Sequence, residues 1–377
     1  MAKVDYINPL SKTSKLEIGV KSSRSKSQNY LIFGPLVNGQ YQSDPKFSNT
    51  FVYTENINYG YINYSHNMGK WNLIAGLRGE QTNSDGNSVT SMMMNSKSYF
   101  DLFPNLQLTY KYDEKNDFTF SFDRGITRPT YKDINPFLYY VDEYDYRSGN
   151  PDLLPEYVNK FQLSHSYNNT LVTSVFARIT TGFYGFNDYE QNSSTKVNIT
   201  TNNNFGTYSV YGINVSTPAH ITNWWESVYF AEASYQRIKA YAQYGNLDKG
   251  TQDISFTTTQ TFKITGTLGL DILGKYESPT FYGIAQFKAQ YNVDAGISQQ
   301  LFNKKGTLKL GIADIFNTYR DRAYSNYQNL NLNIVDKVET RIVKLNFTYR
   351  FGKIGVKSIK HQTASDDEQK RASGTSN

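Results

Sequence analysis

The 377-residue sequence has no cysteine, which excludes disulfide staples and thiolate metal sites without choosing a compartment. It also lacks long apolar runs. Mean hydropathy is -0.60, and no stretch approaches the ~18 apolar residues that a helical membrane span needs. That excludes a helical membrane protein but leaves a β-barrel open, since in a barrel only every second residue meets lipid. The histidines, at positions 66, 165, 220 and 361, show no H-x-x-x-H spacing; neither a zinc site nor a histidine-based catalytic group is indicated, and no cofactor is expected. Leu-rich amphipathic helical stretches are missing, and Met1 to Asp5 carries no apolar core of a signal peptide.

What is present is aromatic. Tyr occurs 32 times and Phe 23 times, an enrichment that favours strands. The net charge is +6. Its lysines and arginines are dispersed, with a local concentration only after Phe351, which argues against nucleic-acid binding.

The organising stretch runs from Phe118 to Pro155. Phe118, Phe120 and Phe122 alternate with Thr119, Ser121 and Asp123, the grammar of a strand with one wet face. At Arg128-Pro129 the alternation stops and a Tyr-rich, Pro-punctuated connection begins, with a turn signal at Gly149-Asn150-Pro151. Ser121, Arg124, Ile126, Arg128 and Pro129 are followed by Asn135-Pro136-Phe137, then Ser148-Gly149-Asn150-Pro151-Asp152-Leu153 and Pro155-Glu156. This ordered series resembles the mid-barrel region of TonB-dependent outer-membrane receptors of the Bacteroidetes-type outer-membrane β-barrel family. The resemblance extends more loosely from Asp5 to Phe351. It implies an antiparallel transmembrane β-barrel of about 22 strands, of which this sequence supplies the later part, with no counterpart of the plug or of the energy-coupling segment.

The rest of the chain repeats the strand grammar. Leu16, Ile18 and Val20 alternate with polar residues; Trp71, Leu73, Ala75 and Leu77 open another strand; Leu106, Leu108 and Tyr110 share a face. Connections are expected at Ser22–Asn49, Gln81–Lys97, Asn187–Ser194, Tyr244–Gly250, Glu277–Gly283 and Asn317–Lys337 (long or polar), and at His66–Lys70, Asp113–Asn116, Asn168–Asn169, Pro218–Asn223 and Asn303–Gly306 (short). Lys196–Thr217 reads as one strand with an irregular point near Phe205, Ala285–Leu301 as another, and Leu308 to Ile315 as another. Short and long connections alternate, as in bacterial barrels with periplasmic turns and outer loops. The count is about 14–15 strands. The last, Thr340–Phe351, sets Val343, Leu345, Phe347, Tyr349 and Phe351 against Lys344, Asn346, Thr348 and Arg350. Residues 1–351 read as barrel and 352–377 as a disordered, polar, periplasmic tail.

The candidate ligand-binding residues are Tyr139, Tyr140, Tyr144, Tyr146 and Arg147, because tyrosine offers rigid contact area with a hydrogen-bonding tip. The competing reading packs this loop into the barrel mouth. Asp123, Arg124, Arg178, Glu232 and Arg350 are dispersed over many strands, as a polar lumen allows, and do not form a catalytic cluster. Asn83 to Asn87 lacks the ligands of a calcium loop and reads as a polar loop tip. Gly266, Gly269 and Gly274 lie in strands and form no phosphate loop. Trp71, Trp224 and Trp225 sit beside short turns, as girdle aromatics do. The expectation is a non-enzymatic barrel in the outer membrane. By resemblance its partners are membrane lipid, a plug and a TonB-type complex reached through segments outside this sequence, and an unidentified extracellular ligand such as a glycan, peptide, siderophore chelate or cobalamin-like cofactor. A passive porin or adhesion barrel is the alternative. A barrel enzyme lacks partners for His165 and His220, and a soluble sandwich leaves the apolar band of Phe347 and Leu310 uncovered.

Overall fold

The structure, a computed structural model, describes residues 1–44, 47–89, 92–184, 187–191, 196–242, 247–283, 285–327 and 330–351. Fifteen strands form one antiparallel sheet in which each pairs with the next in sequence. They are β1 (Ala2–Pro9), β2 (Ser14–Leu31), β3 (Asn49–Met68), β4 (Trp71–Ser88), β5 (Met93–Lys111), β6 (Asn116–Thr127), β7 (Glu156–Tyr167) and β8 (Leu171–Phe183). The series continues with β9 (Gly206–Thr222), β10 (Trp225–Ala240), β11 (Asp248–Lys263), β12 (Leu268–Glu277), β13 (Gln290–Leu301), β14 (Gly306–Ile312) and β15 (Val343–Tyr349). Among the described residues β1 pairs only with β2 and β15 only with β14, so the sheet does not close on itself. The antiparallel barrel wall expected from alternation is present.

Register explains why alternation was so readable. Leu73, Leu108, Phe120, Leu163, Val175, Ile213, Ala233 and Ile254 are successive cross-strand partners in one row across eight strands. Leu163, Val175, Ile213 and Ile254 in that row are all exposed. A continuous exposed apolar row fits lipid and not water. The intervening residues, among them Asp123, Arg178 and Glu232, point to the inner face, where Arg178 lies 3.8 Å from Glu232.

Several expected loops are strand instead. β2 continues through Ser22 to Leu31, paired with β3, and β4 and β5 pair from Trp71↔Tyr110 up to Ser88↔Met93. Asn83 to Asn87, expected as a loop tip, therefore lies in β4. These extensions are polar on their outer face and carry no hydrophobic signal. An 18-residue strand is ~60 Å long and at a ~40° tilt rises ~45 Å, well beyond a ~25 Å apolar band. The strands thus project past the membrane.

Elsewhere too the ladder departs from the expected bounds. Pro218 pairs with Val228 inside β9–β10, because Ala219 and His220 keep the ladder going past the missing N–H. Ile315 falls outside β14, since the chain turns at Asp314 with φ 42°. Ala285–Phe287 leaves the wall and joins a separate sheet with 280–282, 321–327 and 330–336, so the expected 317–337 loop is itself largely strand. Residues 187–191, expected as loop, pair with 198–202. The β5–β6 ladder stops at Asn105↔Asp123, next to Pro104, which has no N–H to offer β6. Arg124 fills the gap beyond it, 5.0 Å from the Tyr157 ring, whose hydroxyl donates to Asp101 at 2.9 Å.

The densest packing lies where the long connections fold onto the inner face. One cluster joins Phe51 to Tyr131, Ile134, Phe137 and Leu153; another joins Phe183, Phe205, Ile238 and Phe281. At the short-turn end, Trp71 packs in a tilted pair with Tyr110 at 4.4 Å and Trp225 stacks on Phe262 at 5.7 Å.

Candidate functional site

The 128–155 connection enters the inner face at Arg128, held extended before Pro129. Its Nη2 donates to Glu80 Oε2 at 2.6 Å and Thr82 Oγ1 at 3.0 Å. Arg78 Nε lies 2.7 Å from the other Glu80 oxygen, an ion pair without hydrogen-bond alignment. Thr130 and Asp133 then form a reciprocal cap on the single helical turn Tyr131–Ile134. Tyr131 reaches back to Ser25 of β2 at 2.9 Å.

The Ser148-to-Leu153 motif closes the loop on itself. A side chain at Gly149 would sit 2.4 Å from the Asn135 carbonyl oxygen and 2.8 Å from that of Asp133, so only glycine fits. Asn150 donates to Asn203 Oδ1 at 2.7 Å and to the Asn202 carbonyl at 3.1 Å, joining the next long connection. From β5, Lys97 donates to the carbonyls of Pro151 and Leu153 at 2.5 and 2.7 Å. Glu55, Lys97, Tyr99 and Arg128 border a cavity of about 30 Å³ beneath this clamp, room for an ordered water.

The tyrosine-rich tip is a hairpin, 138–140 against 145–148, placing Tyr140 opposite Tyr146 and Tyr139 opposite Arg147. Tyr139 turns inward against the Phe51 cluster, where burial pushes its hydroxyl pKa up. Tyr140 and Tyr146 lie 5.7 Å apart and meet Phe33 at 5.7 Å and Phe47 at 5.8 Å from the 31–49 connection. Tyr144 and Arg147 are exposed. The five sequence candidates thus divide into one half-buried residue packed against the core, two members of an aromatic cluster, of which Tyr140 is exposed, and two exposed residues outside it.

Residues 1–349 match the family model described as the outer membrane protein beta-barrel family. The chain belongs to that family. As a member, it is a protein of the outer membrane. No curated protein sequence matches it. Among solved structures it is similar to the FrpB iron transporter from Neisseria meningitidis, with 15% identity, TM-score 0.61, 92% of this chain and 54% of that one covered. The ferric-catecholate import receptor Fiu from E. coli K12 is similar at 13% identity, TM-score 0.63, covering 93% and 54%. The ferric yersiniabactin uptake receptor FyuA from Yersinia pestis gives 12% identity, TM-score 0.63, covering 93% and 53%. The chain therefore spans about half the length of these structures, and at these identities the likeness concerns fold.

A ligand-sized space that the sequence did not reveal lies on the inner face of this family barrel. A cavity of about 420 Å³ is bordered by Tyr208, Gln236, Glu277, Thr280, Tyr282 and Asp321, within the roughly 300–1,000 Å³ of small-molecule sites. Tyr208 donates to Gln236 Oε1 at 2.6 Å, Thr280 donates to the same oxygen at 3.1 Å, and Gln236 Nε2 donates to Asp253 at 2.9 Å. Gln290 donates to Asp321 across the rim. These residues come from five wall strands and a separate sheet, so no local motif announces them. His165 binds Asn116 at 2.9 Å and stacks on Phe118 near the short-turn end, far in sequence and topology from this cavity.

Proposed function

We propose that this chain is barrel wall and loops of an outer-membrane TonB-dependent receptor for energised uptake of an extracellular ligand. The observation that carries the reading is the inward-folded 128–155 connection, clamped to the wall by Arg128 and Lys97. It folds over a polar inner face and leaves Tyr144 and Arg147 exposed beside the aromatic cluster. The long connections face outside, the short turns face the periplasm, and β15 ends on the periplasmic side. Ligand contacts come first from the exposed hairpin tip and then from the Tyr208–Gln236 cavity. Plug and energy coupling belong to segments beyond this chain.

The fold likeness to iron and siderophore receptors supports the architecture of such a receptor. The cavity chemistry favours a neutral hydroxylated or cationic ligand over an anionic chelate, because Glu277 and Asp321 line it while Lys288 is its one lining cation. The test is uptake in cells that produce the protein, using radiolabelled ferric citrate, a labelled oligosaccharide and a labelled peptide, with and without a protonophore. Energised uptake is lost with the protonophore and with deletion of the coding segment. Uptake that depends on the protein but ignores the protonophore identifies a passive barrel instead.

A further inference from the structure

The outer face of β1–β5 changes character row by row. One apolar row consists of Tyr6, Ile18, Ile62, Leu77 and Pro104, all cross-strand partners. Next comes Val4, Val20, Gly60, Gly79 and Leu102, then Ala2, Ser22, Asn58, Gln81 and Phe100. One step further, Arg24 is level with Asn56, Asn83 and Ser98, and then Lys26 with Thr54, Asp85 and Ser96. Apolar, then amide and hydroxyl, then cationic is the order met on leaving a bilayer.

Within that order the sheet has a dent. Gly60 and Gly79 are direct partners on adjacent strands and add no side chain to the row. Val4, Val20 and Phe100 stand around them, 66%, 57% and 62% exposed, and the Phe100 ring lies over Gly79, where an added Cβ would be 3.1 Å from it, so the open part of the dent is over Gly60. The result is an outward-facing groove of about 490 Å³, floored by the two glycines, with Ser22, Asn58 and Gln81 on its upper side. A Cβ on Gly60 would meet nothing closer than 3.9 Å, so space, not backbone geometry, is what the glycine provides there.

We propose that this groove holds an anionic lipid of the outer leaflet, its acyl chain over Gly60 and against the Phe100 ring, and its phosphate against Arg24 and Lys26. The groove opens sideways within the apolar band, where a lipid chain is the molecule at hand. Arg24 and Lys26 are exposed and make no ion pair among the described residues. The acid at their level, Asp85, stands two strands from Lys26 and accepts a hydrogen bond from Ser96 at 2.7 Å. Gln81 donates to Ser98 at 3.0 Å and Ser98 to Asn83 at 2.8 Å, a hydroxyl and amide ladder suited to the ester level of a lipid. Two cations near an anionic lipid surface, each contributing about a factor of five, give a preference of about thirty-fold for anionic over zwitterionic headgroups.

The test is native mass spectrometry of the full chain purified in detergent and titrated with phosphatidylglycerol or with phosphatidylcholine. The wild type is expected to retain one phosphatidylglycerol about thirty-fold better than phosphatidylcholine. Gly60→Leu, which fills the groove, lowers retention of both lipids at least tenfold. The double variant Arg24→Gln/Lys26→Gln, confined to exposed side chains and therefore safe for folding, loses the preference, so that the two lipids are retained equally. Equal retention of the two lipids by the wild type, or an unchanged preference in the double variant, overturns the proposal. Neither outcome depends on uptake, so it stands or fails independently of the receptor reading.

Discussion

Arg128 Nη2 and Glu80 Oε2 stand 2.6 Å apart, with the two side chains 12% and 7% exposed, and this ion pair ties the inward-folded 128–155 connection to the wall. Arg78 shares the carboxylate, so Glu80 balances two guanidinium groups at the point where β6 gives way to the loop.

Arg128→Ala leaves Glu80 with Arg78 alone and is expected to cost about 3 kcal/mol, the scale for removing one partner of a buried pair. The check is denaturant unfolding together with trypsin digestion of folded protein. New cleavage within 128–155, with the strands still protected, is the expected pattern.

Gly149→Ala forces a methyl group into the backbone of Asn135 and Asp133. Neither backbone can yield without breaking the Gly149 N–H to Asn135 carbonyl bond at 3.0 Å. A loss of roughly 1–3 kcal/mol is expected, as for overpacking elsewhere, and it should appear as faster amide exchange at Gly149, Asn150 and Leu153. Unchanged exchange there removes the closure role assigned to this glycine.

The lipid-facing row makes a strict parity prediction. Leu163→Arg places charge on the outer row and should cost roughly 2–4 kcal/mol near the bilayer midplane. Gln162→Arg, one residue away on the inner face, should be nearly neutral. Unfolding of both variants in lipid vesicles compares them directly, and equal costs would refute the assignment of faces.

Asp314 is 2% exposed and accepts from Thr340 Oγ1 at 2.6 Å, from the Thr318 N–H at 2.9 Å and from the Tyr319 N–H at 3.1 Å. Burial alone raises a carboxyl, but these bonds outweigh it and hold the group below its ordinary 3.8. A lowered folded pKa gives stability that is present above the unfolded value and is lost as pH falls through the folded one. The 313–342 connection should therefore loosen only below about pH 4. Hydrogen exchange in that segment checks this, and Asp314→Asn should abolish the pH dependence.

The divided tyrosine hairpin separates binding from packing. Tyr140→Ala/Tyr146→Ala removes three aromatic pairs from the four-ring cluster and should destabilise the tip by about 1.5–4.5 kcal/mol, given ~0.5–1.5 kcal/mol per aromatic pair. Tyr144→Ala/Arg147→Ala should leave stability unchanged and reduce ligand uptake. Thermal unfolding and uptake measured on the same preparations distinguish the two pairs.

Legibility in the sequence followed the physics of each region. Where lipid meets one face, period-2 alternation is enforced, and Phe118 to Phe122, Leu16 to Val20 and Val343 to Tyr349 were plain. The Arg128-to-Leu153 series was readable as a motif, but its parts acquired roles only when Glu80, Lys97 and Asn203 came within reach. Tyr208, Gln236, Glu277 and Asp321 left no trace at all, because cross-sheet neighbours far apart in sequence have no common spacing.

Sequence alone determined the strand faces inside the membrane, the aromatic ends and the positions of most short turns, since burial in lipid imposes a local rule on every second residue. Tertiary structure decided how far the strands rise above the membrane, where the outer face turns polar and no apolar alternation is required. It also decided which tyrosines pack and which remain free, because Phe33, Phe47 and Phe51 reach the hairpin only through the sheet's register.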